Sequence, residues 1–225
     1  MKKILWILLI ISQLAAGAFC QQSTESATAQ KLQKIGLVNI KTVDTSIIVD
    51  LKYATGDNFT GKNLYGDFCE AYLQPEVAKM LANAQKKIKE KHKNWNIVIY
   101  DATRPRSVQQ KMWDVVKNSN WKNYVASPSR ISMHSYGVAV DVGIADEQGN
   151  AIDMGSGFDE FTEKSQPRYE QKFLQEKKLT QQQINNRLIL RNAMKSAGFR
   201  HIQNEWWHFE AMTREQAKQK YKPVD

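Results

Sequence analysis

Ser132-Met133-His134-Ser135-Tyr136-Gly137-Val138-Ala139-Val140-Asp141 is the stretch on which the reading of the fold turns. Its second half continues into Val142-Gly143-Ile144, and Val138 to Ile144 has the apolar, β-branched character of a central strand. Asp141 interrupts that run, and His134 stands seven residues before it. An odd interval would place the two side chains on opposite faces of one continuous strand. Gly137 can break the strand between them, so that His134 sits at a loop end while Asp141 projects from the strand toward the same point.

Near the other end of the chain, Glu205-Trp206-Trp207-His208 offers a second imidazole and a carboxylate against an apolar wall. Alone, this tetrapeptide reads equally well as a tryptophan-rich core strand. Joined to the upstream stretch it completes a set of ligands, because His134, Asp141 and His208 supply two imidazoles and a carboxylate. That set fits zinc and leaves a fourth position for a water whose pKa the metal lowers. Glu205 must then stay off the metal to accept the water's proton, and burial against Trp206 or Trp207 would raise its pKa toward the working pH. Glu205 and His208 share the parity conflict of the first pair, which predicts a bulge or a strand end between them.

Working outward, Ser46 to Tyr53 reads as a strand that ends in the turn-rich loop Gly56 to Gly61. Pro75 opens a helix whose apolar positions Val77, Leu81, Ala84 and Ile88 recur at helical spacing. Trp95 to Tyr100 reads as a buried strand. In the following Asp101-Ala102-Thr103-Arg104-Pro105, the proline disfavours helix at Arg104 and fits the first turn of the next helix. Arg104 is therefore expected to be extended at a strand-to-helix junction, with Val108, Met112, Val115 and Val116 packed behind it. Its fixed charge suits an oxyanion, and a structural pairing with Asp101 is the alternative.

Met154 to Phe161 is a glycine-rich loop carrying acids and aromatics. A helix from about Gln181 to Ala197 would turn Ile184, Leu188, Ala193 and Met194 inward and stop at Gly198. Phe199 to Ile202 and Trp206 to Glu210 would form a hairpin. Strands and helices in mixed order predict an α+β fold, with helices packed against a mostly antiparallel central sheet in a single catalytic domain.

With 225 residues, 42% of them hydrophobic, and six tryptophans, the chain can bury one substantial core. Lys2 and Lys3, the apolar run Ile4 to Ile11 and Ala16-Gly17-Ala18 read as a secretory signal peptide over residues 1–18, with cleavage as late as Cys20. The run is short for a membrane span. Phe19 is bulky where a lipoprotein signal wants a small residue, so anchoring at Cys20 is disfavoured. Removing Lys2 and Lys3 lowers the formal charge from +9 to +7. The lysines are scattered over helical segments and not interleaved with aromatics, so nucleic acid is not expected as a partner. With two cysteines there is no disulfide framework, although a Cys20–Cys69 bridge is conceivable. Residues 21–36 read as a flexible spacer ahead of a catalytic domain over 37–225.

Five segments together resemble the D-alanyl-D-alanine dipeptidases, a zinc-dependent group within the wider D-alanyl-D-alanine peptidase family. They are Asp57-Asn58-Phe59-Thr60-Gly61, Asp101 to Pro105, Ser132 to Asp141, Gly155 to Phe161 and Glu205 to Phe209, and they span nearly all of Tyr53 to Phe209. The resemblance implies one zinc per chain at His134, Asp141 and His208, with Glu205 as general base and acid and Arg104 stabilising the tetrahedral intermediate. It further implies that Asp159 faces the substrate's free amino group, and that Ser132 and Asp101 support the site or touch the substrate. Thr103 departs from the pattern, which has an aromatic before the arginine, and this bears on substrate fit.

The implied partner is a small D-dipeptide, met outside the inner membrane during wall turnover or nutrient recycling, with no stable membrane insertion once the leader is removed. Two rival functions remain at this stage. One is a carboxypeptidase that trims D-alanine from peptidoglycan stem peptides and needs an open cleft. The other is an inactive wall-binding module on the same scaffold, which would have no need for both Arg104 and Glu205. His92 and His201, beside polar neighbours, are expected at the surface.

Overall fold

A computed structural model describes residues 25–225. The expected leader, its cleavage site and the Cys20 end of the bridge lie outside them. The first described element overturns part of the expected spacer. Ser26 Oγ accepts from Ala29 N at 3.1 Å and caps helix α1 (Ala27–Lys34), whose Ala29 and Leu32 are wholly buried. Two apolar positions are too few to register as a period in the sequence, yet they suffice to dock one turn on a core.

The chain continues through β1 (Val38–Asn39), β2 (Ile48–Val49), β3 (Tyr72–Leu73), α2 (Pro75–Lys91), β4 (Asn96–Asp101), α3 (Arg106–Val116) and β5 (Ala139–Ala145). It ends with α4 (Glu170–Gln175), α5 (Gln181–Ser196), β6 (Arg200–His201), β7 (His208–Glu210) and α6 (Arg214–Lys220). Strands β1 and β3 pair in a small antiparallel sheet. The main sheet has the order β2-β4-β5-β7-β6, parallel only between β2 and β4. The fold is α+β, with a mostly antiparallel central sheet and helices packed against it. Among the described residues no helix is long and apolar enough to cross a membrane.

Strand β5 lies at the centre of that sheet and is buried along its whole length, which is why its sequence runs apolar instead of alternating. At Gly143 a Cβ would come within 2.5 Å of the Tyr100 hydroxyl, so the glycine lets the neighbouring strand's tyrosine lie across β5. Helix α2 buries Val77, Leu81, Ala84 and Ile88 as the periodicity predicts. It also buries Gln85, whose Oε1 accepts from Ile97 N at 2.6 Å and fixes the start of β4.

Three elements differ from the expected pattern. The strand expected over Ser46 to Tyr53 is confined to Ile48–Val49. After Asp50 N donates to Ile99 O at 2.9 Å, the chain leaves the sheet in a 3-10 turn that buries Tyr53. On α3, the stripe Val108, Met112 and Val116 faces inward, while Val115 lies off it and is 48% exposed. On α5 the stripe runs through Ile184, Arg187, Leu190 and Met194, so a buried arginine takes the inward position and Leu188 is left 37% exposed. The expected hairpin is present, but β7 begins only at His208.

Candidate active site

Register brings three strands to one point. Asp101 on β4 lies opposite Asp141 on β5, and Asp141 lies opposite His208 on β7. Directly opposed residues project from the same face of a sheet, so the three form a row across it. His134 joins from the turn before β5. It stands in a 3-10 turn (Met133–Tyr136), where Ser132 Oγ accepts from His134 N at 3.3 Å. Gly137, at φ 69°, closes that turn in the left-handed region. A Cβ there would meet Leu37 at 3.0 Å and Thr103 Oγ1 at 3.1 Å, so the break inferred between His134 and Asp141 favours glycine on packing grounds as well. The second parity conflict is resolved by a strand end, since Glu205 precedes β7.

His134 Nε2, His208 Nδ1 and Asp141 Oδ1 form a triangle with sides of 3.2, 2.9 and 3.4 Å. Ligands about 2.0–2.1 Å from a tetrahedral centre lie about 3.3 Å apart, so the triangle has the size of one face of a zinc site. The far ring nitrogens point the same way. His134 Nδ1 sits 2.7 Å from the Ala102 carbonyl, which can only accept, so Nδ1 carries the proton and Nε2 turns a lone pair inward. His208 Nε2 faces Glu210 Oε1 at 3.5 Å, which favours the corresponding tautomer with Nδ1 turned inward. Three electron-pair donors facing one another repel unless a positive charge lies among them.

The electrostatics show that demand for positive charge. Burial alone would depress the His208 imidazolium, but Asp141 and Glu210 override it and push its pKa up to about 10. Burial would likewise raise Asp141, yet His134 and His208 hold its carboxyl well below the usual carboxylate range. The chemistry and spacing of this donor set fit a zinc ion. Among the described residues, His134, Asp141 and His208 are the group of side chains so placed that they could hold a metal ion.

A cavity of about 580 Å³ opens over the triangle, lined among others by Tyr53, Arg104, Ser132, Asp159, Phe161 and Glu205. Glu205 has its pKa pushed up to about 7, by burial first, then by the Asp141 and Glu210 carboxylates, against the pull of His208 and Arg104. Arg104 is buried with its guanidinium at the cavity wall. Its Nε donates to Asp101 Oδ2 at 2.7 Å, one Nη reaches the same carboxylate, and Nη1 donates to Gln109 Oε1 at 2.8 Å. Three of the five N–H bonds of an arginine are thus engaged, and two remain. The pairing with Asp101 and a place in the cavity are therefore compatible. Asp101 itself is wholly buried, shared between Arg104 and the Tyr65 hydroxyl at 2.5 Å, and it does not line the cavity. Its placement is that of a support behind Arg104.

Asp159 lines the cavity and accepts from the Tyr53 hydroxyl at 2.7 Å, and burial raises its carboxyl well above the ordinary range. Thr103 is 1% exposed and donates to the Tyr72 carbonyl at 2.6 Å, beneath the cavity wall, so its departure from the expected aromatic does not alter a lining residue. His92 and His201 lie away from the cavity and are half-buried, His92 stacking on Trp95. Sequence reasoning missed Glu210, Gln109 and Tyr53. Only Glu210 left a signal: two residues beyond His208 on one strand, it faces the same side.

Comparison with known proteins bears on this arrangement. The family model described as D-ala-D-ala dipeptidase matches residues 33–224. The D-alanyl-D-alanine dipeptidase of Escherichia coli (strain K12) is 35% identical over 178 residues, covering 77% of this chain and 83% of that protein. The dipeptidase of the same name from Enterococcus faecalis (strain ATCC 700802 / V583) is 30% identical over 180 residues, covering 71% and 83%. That of Synechocystis sp. (strain ATCC 27184 / PCC 6803 / Kazusa) is 28% identical over 184 residues, covering 68% and 72%.

Proposed function

The chain belongs to the D-alanyl-D-alanine dipeptidase family and is a peptidase, and from that premise we propose that it is a zinc enzyme that hydrolyses D-Ala-D-Ala or a similar short D-dipeptide to free amino acids. The observation that carries this reading is the convergence of His134 Nε2, His208 Nδ1 and Asp141 Oδ1 beneath a cavity that also holds Glu205, Arg104 and Asp159. Zinc held by the three donors would supply Lewis acidity, lowering the pKa of the attacking water and polarising the scissile carbonyl.

The chain's own groups do the rest. Glu205, with a pKa near 7, takes a proton from the attacking water and passes it to the leaving amine. Arg104, clamped by Asp101 and Gln109, presents its two remaining N–H bonds to the oxyanion that develops at the carbonyl. Because the clamp fixes it before reaction, little reorganisation is needed. Asp159 receives the substrate's ammonium, whose charge draws its carboxyl back to the ionised form. Ser132 holds the turn that carries His134.

The leader read at residues 1–18 would carry the enzyme out of the cytoplasm, and outside the inner membrane it would cleave released wall dipeptides so that their alanine can be reused. Incubation with D-Ala-D-Ala and with a pentapeptide stem, each with and without a chelator, tests the reading. It expects chelator-sensitive D-alanine release from the dipeptide. Release from the stem alone would install the carboxypeptidase in its place, and no release from either would favour the binding module.

A further inference from the structure

The loop that carries Asp159 is tied to the segment that carries Glu205 through two serine hydroxyls. Ser156 Oγ lies 3.2 Å from Arg187 Nη2, 3.0 Å from Trp206 Nε1 and 2.9 Å from Ser165 Oγ. Guanidinium and indole N–H groups only donate, so the Ser156 hydroxyl accepts from both. Ser165 Oγ also lies 2.5 Å from the Glu160 carbonyl, which only accepts. Ser165 Oγ is the donor to both Ser156 Oγ and the Glu160 carbonyl, so its one proton is shared between them. Arg187, Trp206 and Ser165 thus meet at the Ser156 hydroxyl, and Ser165 links that point to the carbonyl of Glu160, the residue after Asp159.

Each end of this link reaches a functional group. Asp159 has a φ of 57°, a left-handed conformation that a non-glycine residue keeps only when its surroundings hold it. Its neighbour's carbonyl is what Ser165, wholly buried, holds. Trp206 adjoins Glu205 and is tied to the loop a second time, through its backbone N–H to the Ser165 carbonyl at 3.1 Å. Arg187, 1% exposed, closes the base of the loop by donating to Met154 O at 2.6 Å and Lys164 O at 3.1 Å.

We propose that Ser156 and Ser165, anchored by Arg187, are positioning residues that set the distance between Asp159 and Glu205 and so restrict the site to free dipeptides. The proposal rests on the dipeptidase reading and adds to it what measures the substrate's length. Neither serine lines the cavity, so both act through Asp159.

The test is steady-state kinetics of the zinc-loaded wild-type protein, Ser156→Ala and Ser165→Ala on D-Ala-D-Ala and on N-acetyl-D-Ala-D-Ala, with zinc content and melting temperature measured alongside. For each variant the expected result is a KM for the free dipeptide raised by about tenfold, kcat within about threefold, and kcat/KM for the blocked dipeptide unchanged. Zinc content should be that of the wild type. A kcat loss shared by both substrates would overturn the proposal, because a merely structural relay would damage both alike. Failure of both variants to fold would overturn it for the same reason, and if only one folds, its kinetics decide. If the wild-type protein already treats the two substrates equally, it is the dipeptidase reading that fails. If it discriminates and both variants discriminate as strongly as the wild type, the relay fails and the reading stands.

Discussion

The two halves of the site are built by different means. Of the three proposed metal ligands, Asp141 and His208 rest on backbone ladders, opposite each other on β5 and β7 with Asp101 behind them on β4, and His134 sits on the turn that leads into β5. The loop that carries Asp159 belongs to no ladder and is held by side chains, namely the hydroxyls of Ser156 and Ser165, the guanidinium of Arg187 and the Phe158 ring packed on Tyr100 of β4. Ladder register can shift only in whole residues, and a one-residue slip turns a side chain to the other face. A loop held by hydroxyls can be retuned by one substitution. On the proposed reading, the chemistry is fixed largely in the sheet and selectivity lies where it is adjustable.

Removing a proposed ligand should have the largest effect. His134→Ala, Asp141→Ala and His208→Ala should each lose zinc on dialysis, with turnover falling to background, and metal analysis checks this directly. Glu205→Ala separates metal from chemistry, since it should retain zinc and fold while kcat falls by at least ~10²-fold. If that variant loses its metal, Glu205 is a ligand. Arg104→Ala should lower kcat by about 10²–10³-fold with zinc retained. It also strips buried Asp101 of its cation, so thermal or urea unfolding should show a loss on the order of 3–5 kcal/mol.

Disturbing the loop instead should change selection and leave the metal in place. Asp159→Asn should cut kcat/KM for free D-Ala-D-Ala by about 10²-fold while hardly affecting the N-acetylated dipeptide, which the wild-type enzyme should disfavour by a similar factor. Equal rates on free and blocked substrate would merge the two regions into one and favour the carboxypeptidase.

The contrast also accounts for what could be read in the sequence. His134, Gly137, Asp141 and His208 were legible because a ladder converts spacing into direction, and a parity conflict then demands a break, found at Gly137 and just before His208. Their support was less so. Gln109 and Tyr53 reach the site through folding that brings distant segments together, and spacing carries no trace of that. Arg187 hid behind Leu188, because hydrophobicity assigns the inward position to the leucine while three hydrogen bonds assign it to the arginine. Helix α1 was missed since its core contact is made by Ala29 and Leu32 alone.

The smallest expected effect is one of pH. In chelated, metal-free protein the Glu205 carboxyl titrates near 7, against 4.5 when the chain is unfolded. A carboxyl raised on folding favours the native state relative to its ionised form only while protonated, so its contribution is intact below pH 4.5 and lost as pH rises through 7. Glu205→Gln should therefore match the wild type at low pH and become more stable between pH 4.5 and 7, by a few kcal/mol at most (about 1.4 kcal/mol per pKa unit). Urea unfolding across that range would show the divergence, and parallel curves would contradict it.

Zinc reconstitution tests the central claim most directly. Metal-free protein is titrated with zinc while D-alanine release from D-Ala-D-Ala is followed. Activity should rise linearly, break at one zinc per chain, and stay at background throughout for His208→Ala. Full release by the stripped protein, or a break that survives the loss of His208, would contradict the account.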